Sequence, residues 1–347
     1  MNASRHSLDC CIVGVGARSA LGLRADTSAA ALLAGITRLE EHPYMVGVSG
    51  DPLTVAMDRT LEEHEPLTRM LVLINSVIAE SIEGIPIRPE TPIPLFMALP
   101  EVGPFFSEQN AQNLCRSVMA EFAGKTTLQP VPVTDGNAAG AVAFERAVAG
   151  LRSGAFQACI VAGVETFLDP DRLDALGADE RIIAEKIRWG FTPGEGAAAL
   201  LLCTATLARN IRLPVLASIG GIGTAFEPNG MHTDGVCTGE ALALAMRTAA
   251  VQAGAPVDRQ FCDINGERYR EHEFSYAILR VPNAAFVDSL DYVAPAVSWG
   301  HVGAASIPLL SVVPIANHAR GFSPGPWPMI WSSSENGRRG AVVLNLT

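Results

Sequence analysis

The stretch Val133-Thr134-Asp135-Gly136-Asn137-Ala138-Ala139-Gly140-Ala141-Val142-Ala143 reads as the end of a strand, a tight turn and a helix of small residues. Such a turn presents a side chain at a helix N-terminus, where the dipole and free N–H groups favour negative charge and activate a nucleophile. Here the side chain is an amide, Asn137, and no Ser or Cys stands at the turn. Two roles fit it. Asn is a favoured N-cap, with Asp135 or Thr134 able to assist; alternatively the amide contacts a ligand.

His301 lies in Trp299-Gly300-His301-Val302-Gly303-Ala304-Ala305. A lone His either hydrogen-bonds buried backbone or serves as an acid or base. The run Asn265-Gly266-Glu267-Arg268-Tyr269-Arg270-Glu271-His272-Glu273 is dense in charge. It reads as a solvated loop entering a helix over 268–280; if buried, its charges need partners. His232 sits in a Gly/Pro/Asn-rich loop with Cys237 nearby, so a Cys–His pair is an alternative to a plain loop. The histidines are isolated and no paired-Cys or His-Glu-x-x-His spacing occurs, so no metal site is expected. "GVGARSALG" is an incomplete nucleotide fingerprint, and no cofactor is expected.

Short apolar runs predict the strands that must hold these residues, at 10–16, 92–100, 130–135, 158–165, 197–205, 213–223, 260–266, 292–300, 328–334 and 340–346. Helical patterns fall at 27–39, 67–81, 111–122, 138–151 and 239–253. The alternation predicts an α/β fold with layered, largely parallel sheets. "IVGVGARSALG" is echoed by "LASIGGIGTAF", and "GFTPGEGAAALLL" by "ENGRRGAVVLNL", which suggests two similar halves meeting near residue 210.

Of the 347 residues, 48% are hydrophobic and only 18% charged, which suits covered sheets. A net charge of −11 disfavours nucleic acid or an anionic membrane as partner. Seven scattered Cys, most of them in apolar runs, predict reduced thiols and a cytoplasmic protein. The start, with Arg5 and His6 before Asp9, is too short a pattern for a secretory signal, and no stretch predicts a membrane span.

In combination, the segments at 12–23, 31–35 ("ALLAG"), 135–165, 190–202, 299–306 and 332–344 resemble the β-ketoacyl synthases of the thiolase superfamily. The resemblance implies a thiolase-like fold: two pseudo-duplicated halves, 1–209 and 210–347, in a five-layered α-β-α-β-α core. It places the family's nucleophilic Cys at Asn137 and its first catalytic His at Gly266 or Glu267. The second His is kept as His301, and the Lys position five residues earlier is Ala296. The loop bearing the gating Phe is replaced by Ser334-Glu335-Asn336-Gly337-Arg338-Arg339.

One catalytic position of four thus survives. The resemblance implies catalytic places at His301, Asn137 and Glu267, and a pocket lined by Phe191, Gly266, Arg268, His232 and Asn336. A condensing activity is not expected. The implied role is a partner or binding subunit, as a homodimer or beside a ketosynthase-like subunit, with acyl carrier protein or acyl-CoA as further partners. The family's dimer forms through strands next to the nucleophile helix. Alternatives are an atypical acyl-thioester enzyme (decarboxylase, hydrolase or transferase) using Asn137, His301 and Glu267, and a structural or assembly protein with a filled pocket.

Overall fold

The computed structural model describes residues 10–47, 50–87 and 90–347, so the segment containing Arg5 and His6 lies outside the described residues. The chain runs β1 (Cys10–Ser19), α1 (Ala25–Leu33), a hairpin of β2 (Glu40–Val46) and β3 (Pro52–Val55), α2 (Pro66–Ser81), β4 (Ile93–Ala98) and α3 (Glu108–Glu121). It continues with β5 (Leu128–Val133), α4 (Ala139–Ser153), β6 (Ala158–Thr166), α5 (Pro170–Ala178), β7 (Glu195–Thr204) and α6 (Ala205–Asn210). Then come β8 (Ala217–Phe226), α7 (Glu240–Ala253), β9 (Arg259–Cys262), α8 (Arg268–Ile278), β10 (Tyr292–Val293), α9 (Ala296–Trp299), α10 (Ser306–Ala319), β11 (Pro328–Ser333) and β12 (Arg338–Leu346).

The strand order is β10-β9-β11-β12-β8-β1-β7-β6-β4-β5. At its middle, β1 and β8 share only the pairs Cys11 with Ser218 and Ile12 with Ala217. From that seam the two sides repeat one pattern. Moving out from β1, β7 and β6 pair antiparallel, then β4 and β5 parallel. Moving out from β8, β12 and β11 pair antiparallel, then β9 and β10 parallel. Residue 209/210 falls at the last turn of α6, just before β8.

Helices α2 and α3 cover the first side of the sheet, and α7 with α8 covers the second. Between the two sides lie α4 and α10, each touching strands of both. The result is the five-layered α-β-α-β-α core. Small residues permit it: a Cβ on Gly140 of α4 would stand 2.6 Å from Ile307 and Pro308 of α10. Strand β7 is buried along nearly its whole length, as a strand covered on both faces must be.

Three predicted features differ. The sheet is mixed rather than largely parallel, since β7 and β12 run antiparallel to both their neighbours, β12 returning from β11 through a short turn that only an antiparallel pair allows. The run 292–300 forms only the two-residue β10 and then α9, because Pro295 supplies a helix start rather than a strand interior. Helix α10 had no amphipathic signature, because it is buried from Ser306 through Asn317 and so lacks a polar face. No helix among the described residues is long and apolar enough to cross a membrane.

Candidate functional site

The elbow forms at the end of β5, where Gly136–Ala138 make a 3-10 turn leading into α4. Gly136 has φ +65°, and a Cβ there would lie 2.6 Å from the Glu101 side chain, so both conformation and space require glycine. The N-cap of α4 is Ala138, with no side-chain cap. Asn137 therefore does not cap the helix. The turn is held from the opposite side of the molecule: Ser334 Oγ accepts from Ala138 N–H at 2.7 Å and donates to the Asp135 carbonyl at 2.5 Å.

The Asn137 amide points inward and is 6% exposed. Its Nδ2 donates to Asp263 Oδ2 at 2.8 Å and lies 3.3 Å from His301 Nε2. An amide nitrogen carries two hydrogens, and this pair of neighbours takes both. Nothing is left on Nδ2 to stabilise an oxyanion.

His301 is 2% exposed and sits between aromatic rings, with its centroid 5.0 Å from Phe191 and 5.1 Å from Phe167. Its backbone is fixed by Gly194 N–H donating to its carbonyl and its own N–H donating to the Thr192 carbonyl. Burial, then the positive charges of Arg270, Arg181 and Arg172, push its pKa well below the usual imidazole value. An amide nitrogen only donates, so this contact selects the imidazole tautomer whose Nε2 is unprotonated and accepts from Asn137.

Asp263 Oδ2 also receives Arg270 at 2.8 Å, Ser332 Oγ at 2.8 Å and Ser333 N–H at 3.2 Å. Arg270 also lies 3.4 Å from Glu267. Glu267 accepts from Asn265 Nδ2 at 3.0 Å and from Arg181 Nε at 2.8 Å. Arg181 then forks onto Glu335 at 2.6 and 3.2 Å, and His232 Nε2 lies 3.0 Å from the same carboxylate. Burial alone would raise the Glu335 carboxyl; the Arg181 bonds and charge, with Arg270 beyond, outweigh it and hold it far below the usual range. One ionic chain thus runs from the elbow to the surface.

A cavity of about 400 Å³ opens against this chain. Asn137, Arg181, Glu335, His232, Phe105 and Phe167 are among its lining residues. Glu165, also lining, is paired with Arg172 at 2.9 Å; burial raises its carboxyl despite that partner. Burial likewise raises Glu101, which accepts from Asn336 N–H.

The structure brings Asn137 and His301 together, with Asn137 and His232 on the cavity wall and His301 behind it. Glu267 is buried one ion pair further back, and Gly266, with φ +103°, makes the turn that carries it. Phe191 is fully buried against His301 and does not reach the cavity. Arg268 and Asn336 are exposed outside it: Arg268 stacks over Trp189 at 4.4 Å, and Asn336 Oδ1 accepts from Arg338 N–H. The charge-dense run is not a solvated loop, because Glu267, Arg270 and Glu273 are all buried. His232 and Cys237 do not pair; each faces a different carboxylate.

Asp263, Arg270 and Arg181 were not anticipated. Arg270 and Glu273 follow Glu267 at intervals of three, a helical face that the sequence did carry. Arg181 left no local signal, since its partners are 86 and 154 residues away.

Residues 130–208 match the family model "Beta-ketoacyl synthase, N-terminal domain". No curated protein matches the chain by sequence. Among solved structures, the ishigamide ketosynthase/chain length factor is similar with a TM-score of 0.83 at 15% identity, over 98% of this chain and 100% of that one. A structure of a type II PKS acyl-carrier protein in complex with its ketosynthase, bound to the hexaketide, gives a TM-score of 0.79 at 14% identity, over 98% and 100%. The ketosynthase from module 6 of the bacillaene synthase of Bacillus subtilis gives 0.78 at 14%, over 98% of this chain and 72% of that one. The fold is the thiolase-like fold of ketosynthases.

Proposed function

We propose that this ketosynthase-fold chain is a non-condensing subunit that binds an acyl thioester and works beside a condensing partner. The observation that carries the proposal is the engagement of Asn137. The residue at the nucleophile elbow cannot accept an acyl group, and both its amide hydrogens are spent on Asp263 and His301. A neutral His301 whose basicity is suppressed supports the same reading, since neither proton uptake nor release near neutral pH is open to it.

The cavity at Asn137 favours binding over a purely structural role, in which that space would be filled. Its wall combines aromatic and apolar side chains with polar groups, which suits an acyl chain carrying polar substituents. Acyl-CoA and acyl carrier protein are the candidate donors. The similarity to a ketosynthase/chain length factor supports a heterologous partner.

The free edge of the sheet supports it too. Along β5, the carbonyls of Thr127, just before it, and Val133 are taken by Ile93 of β4 and by Leu99 just beyond it, so the alternate residues Leu128, Pro130 and Pro132 turn their backbone outward. Two of those three have no N–H to donate, and self-pairing across this edge would be short of donors. The two-half division at 209/210 and a cytoplasmic location belong to the same proposal.

The test is equilibrium binding of acyl-CoA and of acyl carrier protein to the purified chain, with a parallel assay using malonyl thioester. Saturable binding without a condensed product is expected. A β-ketoacyl product from this chain alone overturns the non-condensing reading, and absence of binding to both thioesters overturns the acyl-binding one.

A further inference from the structure

Away from the elbow, three chemistry-bearing side chains converge in the second half of the chain. Glu227 follows β8, Cys237 lies in the loop leading to α7, and Glu273 is on α8. One carboxylate oxygen from each Glu and the Cys237 Sγ all lie within 4.8 Å of one another. Both carboxylates are deeply buried, Glu227 at 4% exposure and Glu273 at 1%, while Cys237 is half-buried and gives the cluster a way to solvent.

The hydrogen bonding is incomplete in a particular way. Glu227 Oε1 accepts from Asn229 N–H at 3.1 Å. Glu273 Oε1 accepts from Arg339 Nε at 2.5 Å and from Cys237 Sγ at 3.4 Å. The second oxygen of each, Oε2, is buried without any hydrogen-bond partner. Two orphaned carboxylate oxygens in one buried cluster carry a large desolvation cost.

Charge points the same way. Arg339 is fully buried and balances one of the two carboxylates, while its terminal nitrogens donate to Tyr269 Oη and to the Ser334 and Arg338 carbonyls. One negative charge is left over. If the thiol also ionises, two are left, which a divalent cation neutralises. The Cys237 thiol donates its proton toward Glu273 Oε1, and a bound cation would displace that proton.

We propose that Glu227, Cys237 and Glu273 form a binding site for a divalent transition-metal ion of the zinc class. One thiolate and two carboxylates suit a borderline-soft cation, and three side chains leave a fourth position for water. Ligand atoms in a tetrahedral zinc site are roughly 3.5 Å apart, so small side-chain rotations close the present spacing. The three residues are ten and 36 positions apart along the chain, which is why no spacing motif revealed them. The ion would tie β8, the loop carrying His232, and α8 into one unit beside the cavity.

The test uses the full chain after dialysis against chelator, titrated with Zn²⁺ by calorimetry and with Co²⁺ by absorbance. One equivalent of Zn²⁺ is expected, together with a near-ultraviolet thiolate-to-cobalt band. Cys237→Ser should abolish that band and lower Zn²⁺ affinity by more than about tenfold, and Glu227→Gln should lower affinity similarly, since even outer-shell changes cost that much. Both variants leave the Arg339 ion pair with Glu273 in place, so folding is preserved. Absence of stoichiometric Zn²⁺, the result expected if the two carboxylates share a proton instead, overturns the proposal. Unchanged affinity and spectrum in both variants also overturns it.

Discussion

Asn137 Nδ2 donates to Asp263 Oδ2 at 2.8 Å, across 126 residues of chain. This bond joins the elbow before α4 to the end of β9, one from each side of the sheet.

Changing that amide should cost stability in two distinguishable ways. Asn137→Ala removes one donor from Asp263 and one from His301, a loss of about 1–3 kcal/mol in urea unfolding at pH 7. Asn137→Asp sets two buried carboxylates against each other and should cost about 3 kcal/mol or more. That second penalty is pH-dependent. The new carboxyl has a raised folded-state pKa, so the loss is full near neutral pH and fades as pH falls toward the ordinary carboxylate range. A pH-independent loss in Asn137→Asp would contradict the pairing.

His301 gives the opposite slope. Its folded-state pKa is well below 6.5, so below about pH 6.5 the unfolded chain binds a proton that the native ring refuses. Stability attributable to His301 is intact above that pH and declines below it, by about 1.4 kcal/mol per pH unit for one proton. His301→Gln should flatten this part of the curve between pH 7.5 and 5.5 relative to wild type. Equal slopes in both proteins would contradict a buried, neutral ring.

Arg181 is the link between Glu267 and Glu335. Arg181→Met leaves two mostly buried carboxylates without their shared cation and should cost about 3–5 kcal/mol. Arg181→Lys should recover only part of this, because an ammonium cannot fork onto Glu335 and reach Glu267 together. Chemical unfolding of the two variants checks both expectations; a loss under about 1 kcal/mol in Arg181→Met would mean the chain of charges is solvent-screened.

Much of the architecture was legible because the sequence carries period and punctuation. The strands at β1, β4, β6 and β7, and helices α2, α3 and α7, lie within a few residues of their predicted places. What was hidden follows from burial. Helix α10, with Pro308 and Pro314 and no polar face, has neither helical period nor helical composition. The elbow was readable as local geometry, yet the choice between a capping and a contacting role for Asn137 was not, because the bond that holds the turn comes from Ser334, near the other end of the chain. The ionic chain was half-visible: Glu267 was singled out, but Asp263 and Arg181 meet it only through the fold.

The central claim is that no thiol in this chain is an acyl acceptor. Burial raises Cys115 to about 11 and Cys203 to about 12, with Cys159 and Cys262 higher still. The most direct measurement is intact-protein mass spectrometry after incubation with acyl-CoA and with acyl carrier protein bearing an acyl group. The mass should remain that of the unmodified chain. A stoichiometric acyl adduct, mapped to one cysteine and lost on its substitution, would contradict the account.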